Sequence, residues 1–342
     1  MKAAVFLGPN KPLEVQEVPT PEPKEGEILV KVAACGICHT DMHYIDHGVP
    51  TFKKPPMILG HEPSGTVAAM GSGVTNWKEG DRVLLPAVLS CGVCHNCRIG
   101  KENICDDMVM FGNHVDGAYA EYVIAPAKDA LMLPEELPLE ESSIIADAIS
   151  TPYHAVVNRG EVKAGYNVVV FGCGGVGINA VQVAAAAGAS VIAVDVIPEK
   201  LEWAKKLGAT AVINAKEVDR IDKVVKKLTG GGADVTFECI GNPKTIQQAF
   251  SCIRKGGRTV VVGYTAKTVE LPAAKIMFFE QEIVGSLGCR PVDYPRIIEM
   301  ARIGKISVKD LVTARFGLDE INKGFDLMRE GDPNSLRSIA VP

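Results

Sequence analysis

Four cysteines stand close together in the first half of the chain, and their spacing is that of a metal site. They are Cys91, Cys94, Cys97 and Cys105. Four thiolates suit tetrahedral zinc, and a shell completed by protein ligands marks a structural site rather than a catalytic one. An iron–sulfur cluster is the alternative, but the bacterial ferredoxin run has a shorter last spacing and a proline after the final cysteine. This segment has neither feature, so we predict a structural zinc ion.

A glycine-rich segment has the pattern of a dinucleotide-binding loop. The apolar run Asn167–Phe171 leads into Gly-Cys-Gly-Gly-Val-Gly, and an apolar helical segment follows. In this pattern the glycines allow a tight turn, close approach of a pyrophosphate and packing of the helix, whose N-terminus attracts phosphates. The predicted cofactor contacts in this loop are Gly172, Gly174, Gly175, Val176 and Gly177.

An acidic residue, Asp195, ends the next apolar run. A carboxylate at this place accepts the ribose hydroxyls of NAD and repels the additional phosphate of NADP. The residues that follow are Val196, Ile197 and Pro198, and no arginine stands there to receive that phosphate. The sequence therefore predicts NAD as the cofactor.

The motifs GICHTD and GHE, the four-cysteine segment 91–105 (the cysteine lobe) and GCGGVG follow one another in that order. Together they resemble the zinc-dependent medium-chain alcohol dehydrogenases over almost the whole chain. The resemblance implies an α/β protein in which a Rossmann domain, a doubly wound parallel sheet at residues 152–289, is inserted into a GroES-like β domain. The β domain would contain residues 1–151 and 290–342, with the active site in the cleft between the domains.

The resemblance also implies a second, catalytic zinc ion. Cys38 and His61 match two of its ligands, and Asp147 stands where relatives commonly have a cysteine. Zinc accepts carboxylate oxygen in such a shell, although Asp147 could instead be an ordinary helix or turn residue. Glu62 matches a residue that lies behind the zinc and binds it transiently. A three-ligand site leaves one position for an alcohol, whose alkoxide is favoured by the Lewis acid before hydride passes to NAD.

Residues beside the ligands match a proton relay. Thr40 would take the alcohol proton and pass it through the NAD ribose to His43, which can accept a proton near neutral pH. Asp41 would orient His61, as a metal-bound histidine usually requires. The resemblance assigns further cofactor contacts to His39, Thr151, Lys200, Ile240, Val262, Ser286, Leu287 and Arg337.

The secondary structure predicted from the sequence changes near Thr151. Short β-like runs separated by proline and glycine precede it, and alternating strands and helices follow, which predicts a parallel sheet. The last fifty residues are mixed and are expected to fold back onto the first domain. Substrate-pocket size is expected to depend on side chains such as Met108, Met110, Tyr119, Ile149 and Leu287.

Bulk properties limit the possible partners. The net charge of -5 argues against nucleic acid or an anionic membrane. The N-terminus lacks the long apolar stretch of a signal peptide, so we predict a cytoplasmic protein. The segment Glu282–Gly288 is a candidate edge strand for pairing between copies, which predicts a homotetramer or homodimer.

The predicted reaction interconverts a primary or secondary alcohol and its aldehyde or ketone. Two alternatives keep the chemistry but change the substrate. The ADAISTPYHAV segment also resembles dehydrogenases of alicyclic hydroxyacyl-CoA thioesters, and polyol and threonine dehydrogenases are further relatives, although they usually have a glutamate in place of Asp147. A third alternative is a zinc-stabilised NAD-binding protein without activity. That class would have lost a catalytic ligand, whereas this chain retains both GHE and the cysteine lobe.

Overall fold

The computed structural model describes every residue from Met1 to Pro342 and divides into two compact units. One unit contains residues 1–150 and 288–342, and the other contains residues 151–287. The boundaries predicted from the sequence lie after residues 151 and 289. None of the helices combines the length and apolar composition needed to cross a membrane.

Short strands make up most of the first unit, and longer alternating elements make up the second. The strands are β1 Lys2–Phe6, β2 Glu14–Glu17, β3 Glu27–Gly36, β4 Met57–Ile58, β5 Pro63–Met70, β6 Arg82–Leu84, β7 Val88–Leu89, β8 Val109–Met110, β9 Tyr122–Pro126, β10 Leu131–Met132, β11 Asn167–Phe171, β12 Ser190–Asp195, β13 Ala211–Asn214, β14 Ala233–Glu238, β15 Ile253–Val261, β16 Glu282–Gly285, β17 Val312–Gly317 and β18 Arg337–Val341. The α-helices are α1 His39–Asp46, α2 His95–Arg98, α3 Ser150–Tyr153, α4 Gly177–Ala186, α5 Pro198–Lys206, α6 Ile221–Thr229, α7 Pro243–Cys252, α8 Ala273–Phe279, α9 Tyr294–Arg302 and α10 Ile321–Glu330.

The main sheet of the first unit has the strand order β10-β6-β5-β3-β18-β17, and β9 also pairs with β3. Strand β3 is largely buried, and it pairs with β5, β9 and β18. It pairs antiparallel with β5 so that Cys35 lies opposite Pro63. This register brings the residues just after β3 next to the residues just before β5, and both segments carry predicted ligands.

The C-terminal strand completes this sheet. In β18, Ile339 lies opposite Gly36 and Ala340 lies opposite Cys35, so β18 borders β3 beside the same segment. On its other side β18 pairs with β17 in parallel. The last part of the chain therefore belongs to the first unit and reaches the predicted metal site.

The second unit contains a six-stranded sheet in the order β13-β12-β11-β14-β15-β16, and every adjacent pair is parallel. Val168–Phe171 of β11 are buried without interruption, as in strands covered on both faces. The strand order reverses between β11 and β14, which is the point where such sheets bind ligands. Phe171 lies level with both Val194 and Glu238, so three strands end together there.

Candidate active site and metal centres

The glycine loop after β11 has the geometry that its sequence predicts. Gly172 has φ of 86°, a left-handed conformation that favours glycine. A Cβ at Gly177, where α4 begins, would overlap the carbonyl oxygen of Gly172. At Gly174 a Cβ would meet nothing within 4 Å, so the backbone is open there. The loop is thus tight where the helix packs and accessible where a phosphate would approach.

Asp195 ties the end of β12 to this loop. Its Oδ2 accepts a hydrogen bond from the backbone N–H of Cys173 at 2.6 Å. Its Oδ1 accepts from the N–H groups of Val196 at 2.7 Å and Ile197 at 3.0 Å. The carboxylate is fixed at the end of the strand, where its remaining lone pairs could accept ribose hydroxyls.

A second acidic residue, Glu238, holds the adjacent loop and was missed by the sequence analysis. It is fully buried at the end of β14 and accepts hydrogen bonds from the N–H groups of Ile240 at 3.2 Å and Gly241 at 3.1 Å. Thr245 Oγ1 donates to the same carboxylate at 2.6 Å. A charged residue ending an apolar strand was the available signal, since Asp195 is recognised in the same way.

The other predicted cofactor residues are divided between the units. Ile240, Val262, Ser286 and Leu287 follow the carboxyl ends of β14, β15 and β16, while Lys200 lies on α5 and Thr151 on α3. Ile240 and Leu287 are about half exposed. His39 and Arg337 belong to the first unit, so their predicted contacts with the cofactor remain predictions.

The four cysteines of the lobe converge. The Sγ atom of Cys94 lies 3.4 Å from Sγ of Cys97 and 3.8 Å from Sγ of Cys105. The Sγ atom of Cys91 lies 3.9 Å from Sγ of Cys97. A tetrahedral zinc ion with Zn–S bonds of about 2.3 Å requires sulfur atoms about 3.8 Å apart. Backbone N–H groups of Val93 and Cys94 point at Cys91 and lower its pKa to about 7, which favours the thiolate. The lobe therefore fits one zinc ion.

Replacing Cys97 with serine is expected to remove this zinc and unfold the lobe. Structural zinc supplies folding free energy directly, so the loss is large. The measurements are zinc content, which should fall by one ion per chain, and proteolysis between residues 91 and 107, which should become rapid. Cys252→Ser is the control, because Cys252 is a buried thiol in the other unit. Unchanged zinc content in Cys97→Ser would contradict the prediction.

A second cluster contains Cys38, His61, Glu62 and Asp147, with ligand atoms within 4.8 Å of one another. Asp147 Oδ2 lies 3.6 Å from His61 Nε2 and 3.8 Å from Cys38 Sγ. His61 is fully buried, yet neither of its ring nitrogens, Nδ1 nor Nε2, has a hydrogen-bond partner. A buried nitrogen without a partner, surrounded by a thiol and carboxylates, fits a zinc ion that would complete its coordination.

Glu62 forms a buried ion pair with Arg337 of β18. Burial raises the pKa of Glu62 to about 7, although Arg337 lowers it. A side chain at Gly36 would collide with the Glu62 carboxylate, so a glycine is needed opposite it. The structure pairs Arg337 with Glu62 because β18 adjoins β3 at this position, and the contact of Arg337 with the cofactor pyrophosphate stays a prediction.

Asp41 faces the other ring nitrogen of His61. It is fully buried, and its Oδ1 lies 3.5 Å from His61 Nδ1. Burial lowers the pKa of His61, but the charges of Asp41 and Cys38 outweigh that effect and raise it well above its usual range. A metal ion at Nε2 would therefore have to displace a proton.

Tyr119 is completely buried, so the prediction that it lines the substrate pocket is wrong. Its hydroxyl donates to Asp41 Oδ2 at 2.8 Å instead. Ile149 is also without exposed surface.

The relay residues lie on α1, which begins directly after Cys38. Thr40 Oγ1 lies 3.7 Å from Cys38 Sγ. His43 Nδ1 lies 2.9 Å from Nδ1 of His47, a contact that the sequence analysis missed. Histidines four residues apart on a helix face the same side, and this spacing was the available signal.

Comparison with known proteins identifies the family. The alcohol dehydrogenase GroES-like domain matches residues 24–135, and the zinc-binding dehydrogenase domain matches residues 175–302. An alcohol dehydrogenase of Geobacillus stearothermophilus is 39% identical over 342 residues, covering 100% of both chains. The chain therefore belongs to the zinc-dependent medium-chain alcohol dehydrogenase family, as its motifs predicted.

Two solved structures share the fold. The 2R,3R-butanediol dehydrogenase of Bacillus subtilis has a TM-score of 0.92 at 29% identity, covering 100% of this chain and 99% of that one. A putative zinc-binding dehydrogenase from Sinorhizobium meliloti 1021, bound to NADP, has a TM-score of 0.90 at 32% identity, with the same coverage. The predicted combination of a Rossmann sheet and a GroES-like β domain is confirmed.

Proposed function

We propose that this protein transfers hydride between a primary or secondary alcohol and NAD, with one catalytic and one structural zinc ion per chain. The observation that carries the proposal is the convergence of Cys38, His61 and Asp147 around the unpartnered Nε2 of a buried histidine. Three protein ligands leave a coordination position for a substrate, unlike the four-cysteine lobe.

The residues in and around the cluster of Cys38, His61 and Asp147, called the open site here because one coordination position is left for substrate, have different roles. Cys38, His61 and Asp147 would hold the zinc ion, which supplies Lewis acidity toward the alcohol oxygen. The thiolate and the carboxylate balance two positive charges, so the site is formally neutral. Asp41 orients His61, while Thr40 and His43 carry the proton away from the alcohol. Glu62, held by Arg337, supplies a further carboxylate oxygen beside the three ligands.

The test is a turnover assay on purified protein with NAD and a panel of alcohols, together with zinc analysis. Two zinc ions per chain and NAD reduction with a simple alcohol are expected. One zinc ion per chain, or no turnover with any member of the panel, would overturn the proposal. Because the lobe needs reduced thiols to bind metal, a reducing compartment such as the cytoplasm is also proposed.

A diol or polyol is the second candidate substrate. The observation that favours it is the match to a butanediol dehydrogenase over the whole chain. A second hydroxyl beside the reacting one would distinguish such a substrate. The panel should therefore include 2,3-butanediol, sorbitol and a cyclic hydroxyacyl-CoA, and the substrate with the highest kcat/KM decides between the classes.

Replacing His43 with glutamine is expected to lower kcat/KM for alcohol oxidation about tenfold near neutral pH. This loss is smaller than the loss expected on removing a base that contacts the substrate directly. Burial, and then the charge of His47, lower the pKa of His43. The imidazole therefore stays neutral, and able to accept a proton, down to a lower pH than an ordinary histidine. The rate of alcohol oxidation should decline as the pH falls through this lowered pKa. The measurement is kcat/KM against pH.

The control is His114→Gln, because His114 is also partly buried with a lowered pKa but lies outside α1. This variant should keep the wild-type profile. If His43→Gln retains the same decline on the acid side, the assignment of His43 is wrong.

Strand β16 is proposed to pair with β16 of a second copy. It is the edge of the sheet, and Ile283 on it is 37% exposed. Phe278 of the nearby α8 is 73% exposed. The outer side of an edge strand can pair with the backbone of another chain. We therefore propose a homodimer or, from two such dimers, a homotetramer.

Replacing Ile283 with lysine is expected to shift the protein to smaller species in gel filtration with light scattering, because a charge would be buried in the paired edge. Leu228→Lys is the control, since Leu228 is exposed on α6 of the same unit. A monomeric wild type would remove the proposal.

A further inference from the structure

The hydrogen bonds around Asp41 extend one residue further than the metal site itself requires. Asp41 Oδ1 accepts from the backbone N–H of Gly60 at 3.3 Å and faces His61 Nδ1 at 3.5 Å. Its other oxygen, Oδ2, accepts from the hydroxyl of Tyr119 at 2.8 Å. Asp41, His61 and Tyr119 are all without exposed surface. A chain of polar contacts thus runs from the phenol to the imidazole.

We propose that Tyr119 is a positioning residue of the open metal site, whose hydroxyl fixes the Asp41 carboxylate and, through it, the ring of His61. This inference rests on the proposed function, because it takes His61 as a metal ligand. Metal-binding histidines use their second nitrogen to hold the ring in place, and the partner of that nitrogen must itself be held. Tyr119 supplies this support from a distant part of the chain.

The backbone around Tyr119 leaves its ring little freedom. Gly60 has φ of 94°, and a Cβ there would lie 2.8 Å from Cδ1 of Tyr119. The ring therefore packs directly on the glycine that precedes His61. Backbone bonds hold the two segments together, from Tyr119 N–H to the Leu59 carbonyl at 3.0 Å and from Ala118 N–H to the Gly60 carbonyl at 2.9 Å. The phenol is fixed by the same residues that carry the ligand.

The hydroxyl has one proton and two acceptors within reach. Asp41 Oδ2 is at 2.8 Å, and the Gly36 carbonyl oxygen is at 3.1 Å. The charged and nearer acceptor forms the stronger hydrogen bond. Burial, and then the charge of Asp41, raise the pKa of Tyr119 well above its usual range, so the hydroxyl remains a donor.

Removing this donor should loosen His61. A buried carboxylate that loses a hydrogen-bond donor is costly, so the Asp41 carboxylate would turn toward another donor. That movement would weaken its contact with His61 Nδ1. The imidazole would then be less well oriented for a metal ion at Nε2.

The test is Tyr119→Phe, which removes only the hydroxyl. We expect zinc affinity at the open site to fall about tenfold in competition with a chelator, as for other partners of ligand residues. After cobalt substitution, the absorption bands of that site should shift, while zinc in the cysteine lobe stays unchanged. Tyr44→Phe is the matched control, because it removes a buried hydroxyl of the same unit that accepts from Asn113 rather than donating to Asp41.

A double-mutant cycle with Asp41→Asn separates positioning from general destabilisation. If Tyr119 acts through Asp41, its replacement should have little further effect on zinc affinity in the Asp41→Asn background. Equal zinc affinities and cobalt spectra for Tyr119→Phe and Tyr44→Phe would overturn the inference, as would full additivity in the cycle. Only one zinc ion per wild-type chain would instead show that the proposed function itself fails.

Discussion

Replacing Asp147 with alanine is expected to lower kcat/KM for alcohol oxidation about a thousandfold, because a Lewis acid worth several kcal/mol is lost. Asp147 Oδ2 lies 3.6 Å from His61 Nε2 and 3.8 Å from Cys38 Sγ, so it is placed to be the third ligand beside these two. Without it, two ligands and Glu62 remain, and the site loses one negative charge. Zinc analysis should show one ion per chain, held by the cysteine lobe.

Two further variants sharpen this result. Asp147→Cys should retain the second zinc ion and much of the activity, since a thiolate also suits zinc and carries the same charge. Glu140→Ala should behave like the wild type, because its exposed carboxylate pairs with Arg315 at 3.4 Å outside the cluster. Full activity with two zinc ions in Asp147→Ala would show that Asp147 is an ordinary turn residue.

Replacing Asp195 with asparagine is expected to lower the preference for NAD over NADP by about a hundredfold or more, because like charges in contact cost several kcal/mol. In the wild type the carboxylate is held by three backbone N–H groups at the end of β12. It cannot easily turn away from a phosphate on the ribose. Asparagine removes the charge while keeping one acceptor oxygen. The measurement is kcat/KM for each cofactor at fixed alcohol concentration.

The control for Asp195→Asn is Glu202→Gln, which removes an exposed charge on α5 of the same unit. Its cofactor preference should equal that of the wild type. The match to a protein bound to NADP makes the wild-type measurement informative in itself. A wild type that uses NADP as efficiently as NAD would refute the assignment.

Local spacing explains what could be predicted from the sequence. The glycine loop and Asp195 were identifiable because strand periodicity and turn glycines act over a few residues. The cysteine lobe was identifiable for the same reason, since its four ligands lie within one short segment. The doubly wound sheet followed from the alternation of strands and helices between residues 151 and 287.

Contacts between distant segments explain what could not be predicted. Tyr119 and Asp41 are 78 residues apart, and Arg337 and Glu62 are 275 residues apart. Both pairs depend on which strands are neighbours and in which register, which no local pattern contains. The chemistry of a tyrosine suits a pocket and a core equally well. Tyr119 lies in the core, where its ring packs against Gly60 in space that a Cβ at that position would occupy.

The position of β18 between β3 and β17 has a consequence for biosynthesis. The ribosome synthesises the chain from the N-terminus to the C-terminus, and domains generally fold as units as they emerge. Residues 151–287 form a continuous segment, so the second unit can fold while β3 still lacks β18, its neighbour on one side. Arg337 reaches Glu62 only after β18 has been released, and a chain cut before that strand would leave this buried carboxylate unpaired. The unit that is begun first during translation is thus completed last.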